Sequence, residues 1–305
     1  MTSIQKCGVI GVGFVGATSA FTLATSGLFS EVVLVDMNRK KAEGEAADIN
    51  HGISFAKPCF VRAGDYGDLA ECGLVVIAAG ANQKPGETRI ELLGRNRVIM
   101  SSIIEHLMAV NQSAVLLIVS NPVDVLTYMA QKMSGLPAGQ VIGSGTVLDT
   151  ARLKYLVGQH LNVDSRNVHA FIIGEHGDSE LAVWSSANIS GVDLADYCRI
   201  TGKDDSFGAM QRIYENVRDA AYSIIEGKGA TYYGIGMAVR RIAEAIVRDE
   251  HSVLPVSSMI SGHYGVDGIC LGLPAVVGRN GAESVLDIPL SQDELFQLQS
   301  SAQKM

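Results

Sequence analysis

The stretch Cys7-Gly-Val-Ile-Gly-Val-Gly-Phe-Val-Gly16, continued by Glu31-Val-Val-Leu-Val-Asp36, decides the fold. An apolar run, Cys7–Gly11, leads straight into Gly11-Val12-Gly13-Phe14-Val15-Gly16. Ala17–Ser26 then reads as a helix, and Val32–Val35 as a second buried strand that ends in Asp36. Strand, glycine turn, helix and strand closed by an acid form a βαβ unit. Gly11 permits the tight turn. Gly13 lets the backbone approach a pyrophosphate, which the helix N-terminus attracts. Gly16 permits close packing of helix on strand, and Phe14 and Val15 complete the turn. Asp36 is placed to accept hydrogen bonds from ribose hydroxyls and would repel a 2′-phosphate, so the reading is NAD rather than NADP.

Outward from this unit the rhythm continues. Arg39–Ile49 is an amphipathic helix and Phe60–Val61 a short strand. Leu74–Ala79 is a strong strand that runs into Gly80 and Ala81. Ile90–Val110 is helical. Val115–Val119 is a strand ending in Ser120-Asn121-Pro122, followed by a helix at Val123–Met133 and a strand at Val141–Ile142. Strands alternating with helices predict a parallel sheet covered on both faces. Gly80, Ala81, Ser120 and Asn121 then end strands on the ligand-binding edge of the sheet and join the cofactor site.

Past Gly143 the alternation stops. Leu148–Leu161, Phe207–Glu226, Tyr232–Glu250 and Gln292–Lys304 are helical patterns. Ala170–Ile173 is a short buried strand, Leu181–Val192 mixes strand and loop, and β-branched runs follow at Val253–Ile260, Gly268–Val277 and Ala282–Val285. The fold class expected is α/β: a Rossmann-type doubly wound parallel sheet in residues 1–143, followed by a mixed α+β substrate domain in residues 144–305.

The composition narrows the class. The chain has 305 residues, and a formal net charge of −8 argues against a nucleic-acid partner. Five cysteines, widely spaced and without a C-x-x-C pair, read as small hydrophobes in a reducing cytosol. No signal peptide is visible and no apolar run is long enough to span a membrane, so a cytoplasmic protein without a membrane partner is expected. No clear metal-ligand spacing stands out.

The chemistry centres on Val168-His-Ala-Phe-Ile-Ile-Gly-Glu-His-Gly-Asp178. His176 leaves a strand between two glycines, a position from which an imidazole can move protons near neutral pH. A surface histidine bonded to Asp178 is the plain alternative. Asp149 and Arg152 lie three apart at the start of a helix, on one face, after Gly143-Ser144-Gly145. Taken alone they read as a local surface pair. Arg89 ends the polar Pro-Gly loop that begins at Ala81, a plausible lid. Together these residues supply what hydride transfer between nicotinamide and a 2-hydroxy acid requires. His176 takes the hydroxyl proton and Asp149 orients the imidazole and stabilises its charge. Arg89 meets the developing charge on oxygen, and Arg152 gives a planar fork for a carboxylate.

The chain resembles the NAD-dependent L-lactate dehydrogenases of the lactate/malate dehydrogenase family, in their bacterial form. Matching blocks run in order along nearly the whole length: Val-Val-Leu-Val-Asp36, Gly80-Ala-Asn-Gln-Lys-Pro-Gly-Glu-Thr-Arg89, Ser120-Asn-Pro-Val-Asp124, Gly143-Ser-Gly-Thr-Val-Leu-Asp-Thr-Ala-Arg152, Gly174-Glu-His-Gly-Asp178 and Lys228-Gly-Ala-Thr-Tyr-Tyr233. The resemblance implies interconversion of pyruvate and L-lactate, a homotetramer, Asn121 near the carbonyl and nicotinamide, and Thr231 lining the substrate pocket. It also implies that Gln83 faces the substrate side chain, where malate dehydrogenases carry Arg. Burying a second carboxylate against a neutral residue costs several kcal/mol, and ~4 kcal/mol is roughly a thousandfold. Relatives that bind a sugar bisphosphate use an Arg and a His. Here those positions are Lys154 and His169, and lysine lacks the bidentate fork, so weak or absent activation is expected. Tyr128-x-x-x-Lys132 matches a short-chain dehydrogenase pair, but it follows Ser120-Asn-Pro and the glycine spacing is wrong for that family. A non-catalytic NAD-binding homologue should have lost His176, Arg89 or Arg152, and all three are present.

Overall fold

In a computed structural model, residues 5–81, 89–203 and 207–305 are described, with residues 89–91 and 207 described in backbone only. Thus Gln83 and Lys84, and the side chain of Arg89, lie outside the described residues. The first half contains β1 (Lys6–Ile10), α1 (Phe14–Ser26), β2 (Glu31–Val35), α2 (Arg39–Ile53), β3 (Phe60–Ala63), β4 (Leu74–Ile77), α3 (Arg89–Met108), β5 (Val115–Ile118), α4 (Val123–Ser134) and β6 (Val141–Gly143). The second half follows with α5 (Val147–Leu161), β7 (Val168–Ile173), β8 (Leu181–Ile189), β9 (Val192–Asp193), α6 (Leu194–Thr201), α7 (Phe207–Lys228), α8 (Tyr233–Arg248), β10 (Ser252–Leu254), β11 (Ser257–His263), β12 (Val266–Gly272), β13 (Ala275–Gly278), β14 (Gly281–Val285) and α9 (Gln292–Ala302).

Strands β1 to β6 pair in parallel in the order β3-β2-β1-β4-β5-β6. Their near-continuous apolar runs follow from helices on both faces. Helices α1, α2 and α8 bury Leu23, Ala46 and Ile242 on one side, and α3 and α4 bury Ile104 and Leu126 on the other. Each fully buried Leu or Ile contributes about 1.5–3 kcal/mol.

The sheet does not stop where the alternation of the sequence stops. Strand β11 pairs antiparallel with β6 through Ser257 and Gly143, and β12 pairs with β11, so the sheet has eight strands. Two β-branched runs of the second half are therefore built into the first half's sheet. Helix α8 reaches back as well and packs on α1. A Cβ on Gly236 would sit 2.8 Å from Thr18 Cγ2, and the Thr22 hydroxyl donates to the Gly236 carbonyl at 2.9 Å. The small residues of α1 allow that approach.

Strands β7, β8 and β9 form a separate antiparallel sheet, as do β10, β13 and β14. Around the former, α5, α6 and α7 enclose another core containing Leu153, Ile172, Leu194 and Val217. Helix α6 goes beyond the sequence reading, which assigned no element there; its eight residues bury only Leu194 and Cys198. All five cysteines are buried free thiols. No helix among the described residues is long and apolar enough to cross a membrane.

Candidate active site

A cleft of about 1200 Å³ runs along the C-terminal edge of the parallel sheet. Gly11, Gly13, Phe14, Val15, Asp36, Gly80, Asn121, Arg152, His176 and Thr231 all line it. Ten residues spread over the whole sequence thus meet in one cavity, larger than the roughly 300–1,000 Å³ of a common small-ligand pocket. Tyr128 and Lys132 are not among its lining and instead face each other on α4.

The dinucleotide end is built by the glycines. Gly11 has φ of +89°, and a Cβ there would lie 2.5 Å from the Ala79 backbone. A Cβ on Gly16 would strike the Gly11 carbonyl oxygen at 1.8 Å, whereas one on Gly13 meets nothing within 4 Å. Gly13 is therefore open toward the cleft at the start of α1, where no side chain caps the helix and Phe14 and Val15 of its first turn line the cavity. Asp36 receives the N–H of Val12 at 2.8 Å on one oxygen and that of Asn38 at 2.8 Å on the other. Each oxygen keeps lone-pair capacity for a hydroxyl donor. These features fit a dinucleotide with an unphosphorylated ribose.

The strand ends are tied together from behind. Ser120 donates to the Ala79 carbonyl at 2.6 Å. Buried Asn96 of α3 accepts from the Ala81 N–H at 2.7 Å and donates to the Asn121 carbonyl at 2.9 Å. Asn96 was not foreseen in the sequence, because a polar residue inside a helical pattern gives no sign of loops packed on it.

At the other end, α5 and the loop after β7 meet. Thr146 donates to the Ile172 carbonyl at 2.6 Å, and the Thr150 hydroxyl accepts from the Ile172 N–H at 2.9 Å. These two threonines pin the first turn of α5 to the last residues of β7 and so set Asp149 against His176. Asp149 is 1% exposed. It accepts from His176 Nδ1 at 2.6 Å and from Arg152 Nη1 at 2.7 Å. The pair is thus buried rather than a surface contact, and His176 is held by Asp149, not by Asp178. Asp178 receives the Tyr222 hydroxyl at 2.9 Å.

The charges follow from this geometry. Asp149's negative charge, working against burial, pushes the His176 imidazole up to about 9. Burial raises Asp149, but the His176 and Arg152 charges win and hold it below the usual carboxylate range. Asp124, at the first turn of α4, is 2% exposed. Its Oδ2 accepts the backbone N–H of His176 at 2.8 Å, and burial pushes the group up to about 6. Glu180 is also buried and is driven up to about 8, by burial first and by Asp149's charge second. Neither acid had been singled out for the site from the sequence.

Thr231 stands in the link between α7 and α8. Beside it Tyr232 stacks on Phe14, with ring centroids 5.4 Å apart, and Lys228 Nζ lies 3.4 Å from the Tyr232 ring centre. The candidate sugar-bisphosphate pair, Lys154 on α5 and His169 on β7, lies outside the cleft lining. Burial lowers the Lys154 ammonium pKa, and His169 is exposed.

Family models agree with this architecture. The lactate/malate dehydrogenase NAD binding domain matches residues 5–143, and the alpha/beta C-terminal domain of the same family matches residues 146–305. An L-lactate dehydrogenase of a Thermoanaerobacter species is 54% identical over 300 residues, 98% of this chain and 96% of that protein. L-lactate dehydrogenase 1 of Clostridium acetobutylicum is 50% identical over 305 residues, 100% of this chain and 97% of its own. A solved lactate dehydrogenase from a Medee basin deep-sea metagenome library superposes with a TM-score of 0.95 at 48% identity, covering 99% of this chain and 97% of that one. The minor L-lactate dehydrogenase of Enterococcus mundtii, in ligand-bound form, gives 0.96 at 39% identity, with 99% and 96% covered. With both halves matched by family models and about half of all positions identical over its full length, the chain belongs to the lactate/malate dehydrogenase family.

Proposed function

We propose that the chain is an NAD-dependent L-lactate dehydrogenase, reducing pyruvate to L-lactate and running in reverse. The observation that carries this reading is the buried Asp149 carboxylate holding both His176 and Arg152 in the cleft whose far end is Gly13 and Asp36. Gly11, Gly13, Phe14, Val15, Gly16, Asp36, Gly80, Ala81, Ser120 and Asn121 would hold the dinucleotide. When bound as NADH it supplies the hydride that reaches the substrate carbonyl carbon.

The chain's own residues do the rest. Arg152, 15% exposed at its side chain, anchors the substrate carboxylate through its fork. His176 stands protonated at neutral pH and gives its proton to the carbonyl oxygen as the hydride arrives. Asp149 keeps Nδ1 engaged, so that Nε2 is the atom that serves the substrate, and it stabilises the imidazolium between turnovers. Asn121 and Thr231 line the same pocket. Arg89 polarises the carbonyl and Gln83 faces the methyl group in this proposal. We also assign a homotetramer, a cytoplasmic location suited to five free thiols, and weak response of Lys154 and His169 to a sugar bisphosphate.

The test is NADH oxidation with pyruvate, oxaloacetate and a bulkier 2-oxo acid. Pyruvate is expected to exceed oxaloacetate in kcat/KM by at least roughly a hundredfold. Comparable values for the two would overturn the L-lactate assignment.

A further inference from the structure

Glu180 is a third carboxyl group beside the histidine, between the loop that carries His176 and the first residue of β8. It is 4% exposed. One of its oxygens, one of Asp149 and a ring nitrogen of His176 all lie within 4.8 Å of one another. Its Oε1 has no hydrogen-bond partner among the described residues. The nearby cations are engaged elsewhere. Arg152 and His176, from α5 and from the loop, both bond Asp149. Arg218, from α7, pairs with Asp219 at 2.8 Å. Tyr214, also from α7, donates to the Glu180 backbone carbonyl and not to its carboxyl group. A carboxylate buried next to a second one, without a cation of its own, costs several kcal/mol and takes a proton instead.

Resting on the reading of the cleft as a 2-oxo-acid reductase, we propose that Glu180 is a positioning residue kept as the neutral acid, whose ionisation ends binding of the substrate carboxylate at alkaline pH before His176 loses its proton. With Glu180 neutral, the group of Asp149, His176, Arg152 and Glu180 carries one net positive charge, which an incoming monoanion neutralises. Ionised Glu180 removes that charge and leaves two carboxylates competing with the substrate for Arg152. The order of events agrees with the environment of each group. Burial and Asp149 place Glu180 at about 8 against the opposing charges of His176, Arg152 and Arg218, while His176 stands at about 9. Asp124, ionised above about 6 behind the His176 N–H, adds a constant negative charge over this range, so the site becomes less favourable to a substrate anion by one charge as Glu180 ionises and by another as His176 loses its proton.

The experiment measures KM for pyruvate at saturating NADH from about pH 6.5 to about pH 10 in the native protein and in Glu180→Gln, each scaled to its own value at the lowest pH. The native log KM should rise from about pH 8 and approach a slope of about two, because two protons are lost. Glu180→Gln should show one step and a slope of about one, and at about pH 8.5 its relative rise should be roughly fourfold smaller. One common single-step profile would overturn the proposal. Absence of pyruvate reduction at every pH would instead overturn the assigned reaction, and this proposal with it. An infrared reading on the native protein is independent of how the variant folds: a carboxylic-acid C=O band must disappear between about pH 7 and about pH 9.5. A spectrum unchanged in that region would overturn the role of Glu180.

Discussion

Replacing Asp149 with Asn probes the site at its most connected atom pair. The amide keeps the size of the carboxylate and removes the charge that His176 Nδ1 meets at 2.6 Å and Arg152 Nη1 at 2.7 Å. His176 stands at about 9 against a usual 6.5, and the charge of Asp149 is the largest cause. That gap corresponds to about 3 kcal/mol of preference for the imidazolium. Burial opposes the charge, so without Asp149 the imidazole should titrate at 6.5 or lower. At about pH 7.5 the protonated fraction then falls from nearly all to about a tenth, which alone costs about tenfold in pyruvate reduction. Loss of ring orientation adds to this, for a total of about 100- to 10,000-fold in kcat/KM. Steady-state NADH oxidation across pH reads the change. The high-pH limb, set between 8 and 9 in the native protein by Glu180 and His176, should move toward pH 6.5, with the NADH Kd within about twofold. A limb that stays in place would show that Asp149 does not hold the imidazolium.

Stability should report the same pair. The folded pKa of His176 is raised, so its contribution is fully present below 6.5 and is lost as pH rises through about 9. The unliganded native protein should therefore lose up to about 3 kcal/mol from this pair across that window, and Asp149→Asn should lack that component. Identical changes of Tm between about pH 6 and about pH 9.5 in the two proteins would count against it.

Four further outcomes are expected. Gln83→Arg should shift the oxaloacetate-to-pyruvate ratio of kcat/KM upward by at least roughly a hundredfold, and an unchanged ratio would place Gln83 away from the substrate. Asp36→Asn removes the charge facing the ribose while keeping an acceptor, so the preference for NADH over NADPH should fall by at least about tenfold; a preference left intact would locate it elsewhere. Asp124 is raised to about 6 from 3.8 by burial, so its ionisation costs stability as pH rises through that window. Asp124→Asn should thus be more stable by about 1–3 kcal/mol at neutral pH while still accepting the His176 N–H, and a Tm that falls in a melting experiment would refute this. Fructose 1,6-bisphosphate should lower the pyruvate half-saturation by less than about threefold, since Lys154 gives no bidentate contact; a drop beyond about tenfold would contradict that.

The parts legible in the sequence were those whose physics is local. Gly11 and Gly16 announce a backbone that no other residue tolerates, Gly13 leaves the start of the helix open, and Asp36 ends the strand beside them. Buried parallel strands show as apolar runs between turns. The antiparallel extension by β11 and β12 was not legible, because a short β-branched run carries no record of the strand it pairs with. The same applies within the site. His176 has Asp178 as its sequence neighbour, yet Asp149, 27 positions away, holds it. Asn96, Asp124 and Glu180 are common polar residue types whose partners lie on other elements, and nothing in the pattern around them marks the burial that gives each its role. Glu180 in particular follows Asp178 and Ser179, a composition that reads as open loop.

The backbone of the histidine loop is fastened on three sides. Gly174 exchanges hydrogen bonds of 2.9 and 3.1 Å with Gly272 of β12, and so with the main sheet. The Glu175 N–H donates to the Ser301 hydroxyl of α9 at 2.9 Å, and the His176 N–H to Asp124 of α4 at 2.8 Å. A Cβ on Gly174 would meet Ser301 Oγ at 2.9 Å, so the glycine is needed for α9 to come this close. Three consecutive residues are thereby fixed by three elements remote in sequence, which is the preorganisation that proton transfer at a set distance requires. None of these contacts involves the part of the substrate that distinguishes one 2-oxo acid from another. In the proposed assignment selectivity is set by Gln83, so acid–base geometry can stay constant while the preferred substrate changes. One fold can accept a different acid by a change there, provided the charge balance among Asp149, His176, Arg152 and Glu180 still admits the carboxylate that every such substrate shares.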